Sequence, residues 1–268
     1  MSPPPREITM KCTLPLALTF LTVFPWFRFS EVTPGDLARS LFWFPWVGTI
    51  LGLVYWGAGA GLLNLFPAPA AAALLLVITV LLTRSLHLDG LADTVDGLGG
   101  GHTVEARLAI MKDSRLGAFG AVSLVLVLLL KFSFLLALFD QGGERALVLF
   151  PLISRWGQVL LAALAPYARP GGGLGQALTE GATPRLVVAA TISALLLSLL
   201  AGGLTGLLSL VLGGLAVWGL SRYFKRRLGG ITGDVYGAVN EILETLVLGV
   251  AVLRGAWPGS LHFPGLFW

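Results

Sequence analysis

The sequence predicts an all-α fold: a polytopic helical bundle embedded in a lipid bilayer, with about seven to eight transmembrane helices. Three observations carry that expectation. The residues AVILMFWYC make up 56% of the 268-residue chain, where a soluble protein has about 45–50% even with Gly counted in. Charged residues are 12%, about half the usual share of roughly 25%. Mean hydropathy is +0.84. A soluble globule of this composition would cover itself with apolar surface and aggregate. The same figures exclude a disordered chain, a coiled coil, a collagen-like fibre and a secreted disulfide scaffold. The single cysteine, Cys12, has no partner for an internal disulfide. One membrane domain over residues 1–268 is expected.

Eight apolar stretches approach the length of about 20 residues that a span requires. They are 13–27, 41–63, 70–86, 117–139, 146–166, 186–202, 204–220 and 237–254. The first is short and carries Pro25, so it reads as a re-entrant segment as readily as a span. No small-residue cleavage site follows it to favour a signal peptide. The run Ala201-Gly202-Gly203 reads as a turn between two spans, with one long bent helix as the other reading. No internal repeat is evident. The 35 glycines suit close helix packing in lipid.

The basic residues set the topology. Twelve fall in one set of alternate loops: Arg28, Arg39, Arg84, Arg107, Lys112, Arg115, Arg169, Arg185, Arg222, Lys225, Arg226 and Arg227. The opposite loops hold only Arg145 and Arg254. The first set is therefore expected on the cytoplasmic side. Arg6 and Lys11 sit awkwardly with eight spans, and a re-entrant first segment removes the conflict. Lys131 and Arg155 lie inside apolar stretches.

The 14 acidic residues are not scattered. Residues 87–100 read HLDGLADTVDGLGG, with Asp89, Asp93 and Asp96 at i, i+4 and i+7. On a helix they share a stripe about 60° wide. Three carboxylates this close repel one another unless a cation sits among them. A hard divalent ion such as Mg²⁺ is the natural answer, held by carboxylates and substrate phosphates. A solvated acidic face is the plainer reading, against which stand Leu88, Leu91, Ala92 and Val95. A second acidic set, Asp234, Glu241 and Glu244, lies in GGITGDVYGAVNEILE at 229–244. Ionisable residues inside a span are costly and mark function by default. Lys131 and Arg155 are their candidate partners, and a purely structural ion pair is the alternative. Gly229, Gly230, Thr232 and Gly233 open that helix, where free N–H groups can cradle phosphate.

Between the two sets, residues 110–120 read IMKDSRLGAFG. Lys112 and Arg115 are placed to clamp phosphate or simply to anchor the span at the cytoplasmic face. The basic run 222–227 suits anionic lipid headgroups. His87 is a candidate base or orienting residue; His102 and His262 are discounted. One Cys and three scattered His make no standard zinc set. The sum predicts a cytoplasm-facing site that positions a phosphorylated substrate by metal and cationic charge, with no nucleic-acid partner.

These motifs resemble one family. HLDGLADTVDGLGG, IMKDSRLGAFG, SRW at 154–156 and RRLGGITGDVYGAVNEILETL at 226–246 come in the order of the cobalamin synthases, the adenosylcobinamide-GDP ribazoletransferases. FLTVFPW and FPWVG near the start also look like the family's opening segments. The resemblance covers about residues 20–250. It implies a Mg²⁺-dependent enzyme of the bacterial cytoplasmic membrane. Such an enzyme joins adenosylcobinamide-GDP to α-ribazole, or to α-ribazole phosphate, releasing GMP. It implies metal or diphosphate roles for Asp89, Asp93, Asp96, Asp234 and Glu241. It implies substrate roles for Lys112, Asp113, Ser114, Arg115, Lys131, Arg155 and Glu244. Asp96 is taken as the base for the ribose hydroxyl, since in-line attack needs an acceptor beside the metal. Association with a second copy or with other cobalamin-assembly enzymes stays open.

Two departures stand out. The family often has Thr-Gly-Gly before the His motif, where this chain has Thr83-Arg84-Ser85. It often has Thr-Arg near the start, where this chain has Thr22-Val23. Neither removes a candidate ligand. Two other readings compete. CDP-alcohol phosphatidyltransferases also space aspartates on a helix, but no Arg follows Asp89-Gly90 at their expected place. An ion-coupled transporter would use Lys131, Arg155, Glu241 and Glu244 as a relay, and would favour an inverted repeat.

Overall fold

The computed structural model describes residues 13–24, 32–169 and 173–255. Its elements, in order, are α1 (Leu14–Leu21), α2 (Pro34–Ser40), a 3₁₀ turn (Leu41–Trp43), α3 (Phe44–Leu65), α4 (Ala68–Leu82), α5 (Leu86–Gly100), α6 (Val104–Ile110), α7 (Ala118–Asp140), α8 (Ala146–Leu164), α9 (Leu174–Gly181), α10 (Pro184–Leu228) and α11 (Gly233–Gly255). The described chain is all helix and loop, with one isolated backbone bridge. Local chemistry marks the boundaries. Thr33 and Asp36 form a reciprocal capping box around Pro34, and Thr103 and Thr183 accept N–H bonds at the starts of α6 and α10. Lys225, Arg226 and Arg227 fill the last turn of α10, where they complement the helix dipole.

Among the described residues, five helical stretches are long and apolar enough to cross a bilayer: Pro34–Leu65, Ala118–Asp140, Ala146–Leu164, Pro184–Leu228 and Gly233–Leu253. A sixth is reached if α4 and α5, bent by 86°, count as one broken span. The chain is thus a multi-pass helical membrane protein. The expected count of seven to eight differs for physical reasons. The stretch 13–27 yields only the eight-residue α1, and its end, with Pro25, lies outside the described residues, as do Arg6 and Lys11. At 15 residues, α4 is short of the hydrocarbon thickness by itself. The stretches 186–202 and 204–220 both lie in the 45-residue α10, taken once among the five although Gly203 (φ 53°, ψ −128°) divides it into two arms.

That interruption falls in the expected turn 201–203, and it reverses the chain. The Trp156 indole donates to Thr191 Oγ1 at 3.0 Å on one arm of α10 and packs on Gly213 and Gly214 of the other. A Cβ at Gly206 would strike the Ser198 carbonyl, so the two arms meet backbone to backbone. Small residues allow such approach where no hydrophobic effect drives helices together.

The centre of the bundle is α8, most of which is buried. Gly48 and Gly52, spaced as in GxxxG, set α3 directly on the α8 backbone at Pro151 and Val148. Tyr55 stacks on Phe150 across the same contact, with centroids 5.5 Å apart. A second small-residue crossing positions the site. A Cβ on Gly90 of α5 would lie 2.6 Å from the Asp234 carbonyl oxygen, and one on Gly237 of α11 would lie 3.1 Å from the Gly90 Cα.

The bend between α4 and α5 carries Arg84 (φ 52°) and Ser85 (φ 56°), both in the left-handed region. An L side chain there costs about 1–2 kcal/mol relative to the right-handed region, and Gly avoids this. The Thr-Gly-Gly pattern of the resembled family therefore has a backbone reason. Arg84 is exposed and reaches toward the Thr19 carbonyl at 3.5 Å. The double variant R84G/S85G is expected to raise stability by about 1 kcal/mol. Thermal melting in detergent would show the higher Tm; a lower one would contradict the strain.

Candidate active site

The acidic cluster forms where α5 crosses the start of α11. Asp89 sits in the first turn of α5 and is exposed; Asp93 follows one turn later and is partly buried. The Gly90–Gly237 contact brings Asp234, in the first turn of α11, to the same place. Asp93 lies in the negative field of Asp89, Asp234 and Asp96, offset by Arg169. Neither the Asp89 nor the Asp93 carboxylate has a hydrogen-bond or ion-pair partner among the described residues. Arg169 offsets this repulsion only in part, and a second positive charge would lower it further.

Arg169 is the residue that motif spacing did not single out. It is brought in by a strap between two loops. Ile231 N–H donates to the Pro166 carbonyl and Ala168 N–H to the Ile231 carbonyl, each at 2.8 Å. Gly230 is needed for that approach, because a Cβ would meet the Pro166 carbonyl. The strap sets Arg169 Nη2 2.5 Å from Asp234 Oδ2 and 3.2 Å from the Met111 carbonyl. The only hint in the sequence is a cation placed immediately before Pro170 and a run of glycines. The glycines expected as a phosphate cradle thus divide their tasks. Gly229 ends α10, Gly230 makes the strap, Thr232 caps α11 by accepting from Val235 N–H at 3.3 Å, and Gly229 and Gly233 both stand exposed with open space about them.

Asp96 has a structural task. Its Oδ2 accepts from Gly117 N–H and its Oδ1 from Gly120 N–H, both at 2.8 Å. It therefore caps the N-terminus of α7 from another helix. Both carboxylate oxygens are committed to this cap, which counts against the expectation of Asp96 as the base. The cap also ties the loop 111–117 to the acidic helix. In that loop Lys112 and Ser114 are exposed, and Arg115 is paired with Asp113 at 2.5 Å. The Arg115 hydrogen bonds hold the Asp113 carboxyl down to about 2.

The other expected residues gather elsewhere, inside the bundle. Lys131 Nζ of α7 lies 2.6 Å from both Glu241 Oε2 and Glu244 Oε2 of α11. Arg155 of α8 is fully buried and pairs with Glu244. Asn240 Nδ2 donates to Glu244 Oε1 at 3.0 Å and Gln158 Nε2 to Asn240 Oδ1 at 3.3 Å. His87 is buried beside this network, feels the charges of Arg155, Glu244 and Lys131, and leaves Nε2 without a partner. Glu241 is thus committed to Lys131 rather than to the acidic cluster, and His87 faces the network rather than Asp93. Asn240 and Gln158 were missed because a lone amide in an apolar stretch carries no motif.

Among the described residues, no three His, Cys, Asp or Glu side chains form a preformed metal cage. What converges is an open group of hard oxygen donors, Asp89, Asp93 and Asp234, faced by one guanidinium. Such a group suits a diphosphate that brings its own metal contacts.

A family model described as Cobalamin-5-phosphate synthase matches residues 13–252. The adenosylcobinamide-GDP ribazoletransferase of Syntrophobacter fumaroxidans is 43% identical over 237 residues, covering 88% of this chain and 96% of its own length. The protein of the same name from Pseudomonas putida strain W619 is 45% identical over 240 residues, covering 88% and 97%. That from Desulforamulus reducens is 39% identical over 249 residues, covering 91% and 97%. No solved structure matches. On the extent of the model match and the near-complete coverage of these relatives, the chain belongs to the cobalamin-5-phosphate synthase family.

Proposed function

We propose that the protein is an adenosylcobinamide-GDP ribazoletransferase. It joins adenosylcobinamide-GDP to α-ribazole, or to α-ribazole phosphate, in the last step of nucleotide-loop assembly. The relatives' shared name over nearly the whole chain is the observation that carries this reading. The α5–α11 crossing supplies the chemistry. A ribose hydroxyl oxygen forms a bond to the corrinoid-side phosphorus, the bond from that phosphorus to the bridging oxygen breaks, and GMP leaves. Arg169 binds phosphate as a bidentate fork, and Lys112 and Arg115 add charge from the neighbouring loop.

The donor set fits Mg²⁺. Asp89, Asp93 and Asp234 offer only oxygen, two of the three have no partner of their own, and Mg²⁺ is commonly held by one or two carboxylates with substrate phosphates. Because the three do not form a cage by themselves, one or two of these carboxylates together with the substrate's phosphates would hold it, and when bound it would neutralise charge developing on the diphosphate. The hydroxyl proton goes to a carboxylate of this trio. We assign that role to Asp93, which lacks a hydrogen-bond donor, in place of Asp96, which caps α7. The protein works in the bacterial cytoplasmic membrane with this site facing the cytoplasm. Supporting that orientation, Lys112, Arg115 and Arg169 lie in loops, and Lys225–Arg227 at the end of α10, all in the larger basic set.

The test is turnover by the purified chain in detergent with Mg²⁺. Adenosylcobinamide-GDP and α-ribazole should yield adenosylcobalamin and GMP, and a CDP-alcohol should remain unchanged. Consumption of the CDP-alcohol with the corrinoid untouched would overturn the reading. The network of Lys131, Arg155, Glu241 and Glu244 gives the transporter reading one real feature. Ion flux in proteoliposomes without transferase turnover would favour it.

A further inference from the structure

Beside the acidic cluster lies a cleft of about 530 Å³ that no step above uses. Its size falls within the range of about 300–1,000 Å³ typical of small-molecule sites. One wall is the end of α8 and its following loop, with Ala163 and Pro166; the other is α9, with Gln176 and Glu180. Tyr167 and Arg169 stand at the edge. The strap that sets Arg169 on Asp234 also shapes this cleft, and Arg169 joins its lining to the aspartates.

We infer that the cleft seats the acceptor nucleoside, with its aromatic base against the α8 end and its ribose hydroxyl toward Asp93. This rests on the transferase reading. Three features select the neutral nucleoside over the other substrate. The alanine and proline wall and the Tyr167 ring suit a flat apolar base. Gln176 Nε2 donates to Glu180 Oε1 at 2.6 Å, so the α9 wall presents a carboxylate, which keeps the diphosphate, and the phosphate of a phosphorylated acceptor, toward Arg169. The cleft holds one nucleoside but not a corrin macrocycle. Arg169 then separates the two substrates: the nucleoside on the cleft side and the diphosphate on the aspartate side. In this arrangement Arg169 is a positioning residue for the acceptor as well as a phosphate ligand.

Ala163 tests the inference, because it is exposed and a larger side chain can enter the cleft without displacing the core. Ala163→Phe in the full chain should raise KM for α-ribazole by about tenfold or more while KM for adenosylcobinamide-GDP stays within about twofold. Equilibrium dialysis with α-ribazole alone should show the same loss, and Tm should be unchanged. A rise confined to adenosylcobinamide-GDP would give the cleft to the guanosine end of that substrate and overturn the inference. Unchanged KM for both substrates would overturn it equally. If wild-type protein turns over neither substrate, it is the transferase reading that fails, and α-ribazole dialysis still reports on the cleft.

Discussion

Asp93→Asn should lower kcat by about a thousandfold, the scale of losing a proton acceptor or a metal-binding carboxylate. The substitution keeps shape and removes one negative charge. Asp93 sits in the field of Asp89, Asp234 and Asp96 with Arg169 as the counter-charge, so the folded state loses repulsion rather than an attractive partner. Tm should stay level or rise. This joint outcome separates a functional carboxylate from a structural one, since sites tuned for activity often store such destabilisation. Steady-state kinetics with melting in the same detergent would check it. Near-normal turnover would remove Asp93 from the mechanism, and a large drop in Tm would make it a structural residue.

Lys131→Met should have the largest effect on stability. Lys131 bridges Glu241 and Glu244 at 2.6 Å each and joins α7 to α11 inside the bundle. Removing one member of a buried ion network leaves charge uncompensated, which costs about 3–5 kcal/mol. Arg155 would still pair with Glu244, so the uncompensated group is Glu241. Lys131→Met/Glu241→Gln should therefore recover much of the loss. Folded yield and Tm of the single and double variants decide this. Equal damage in both would mean that Lys131 acts through packing alone.

Much of this was legible in the sequence. Composition gave the membrane class, and the i, i+4, i+7 spacing put the aspartates on one helix. The apolar stretches 117–139, 146–166 and 237–254 correspond to α7, α8 and α11. What periodicity could not show was which partner each charge would find. Asp96 looks like its two neighbours in the sequence, yet α7 arrives with free amides and claims it. Glu241 and Asp234 share a helical face by spacing, but they lie two turns apart, and Lys131 meets only the deeper one. Arg169 was counted as one loop cation among twelve. Its place depends on a backbone bridge to Ile231, a contact over 64 residues that no local pattern encodes. Span number was blurred by breaks in the chain, at Thr83-Arg84-Ser85 and at Gly203, and at Gly203 hydropathy stays high and only backbone angles change.

The central claim is that the α5–α11 crossing is where phosphorus is attacked. A structure of the full chain with Mn²⁺ and GMP tests it most directly. The account predicts a single density peak for the metal among Asp89, Asp93 and Asp234, with the GMP phosphate within hydrogen-bond distance of Arg169. Metal or phosphate bound instead at Glu241 and Glu244 would contradict it.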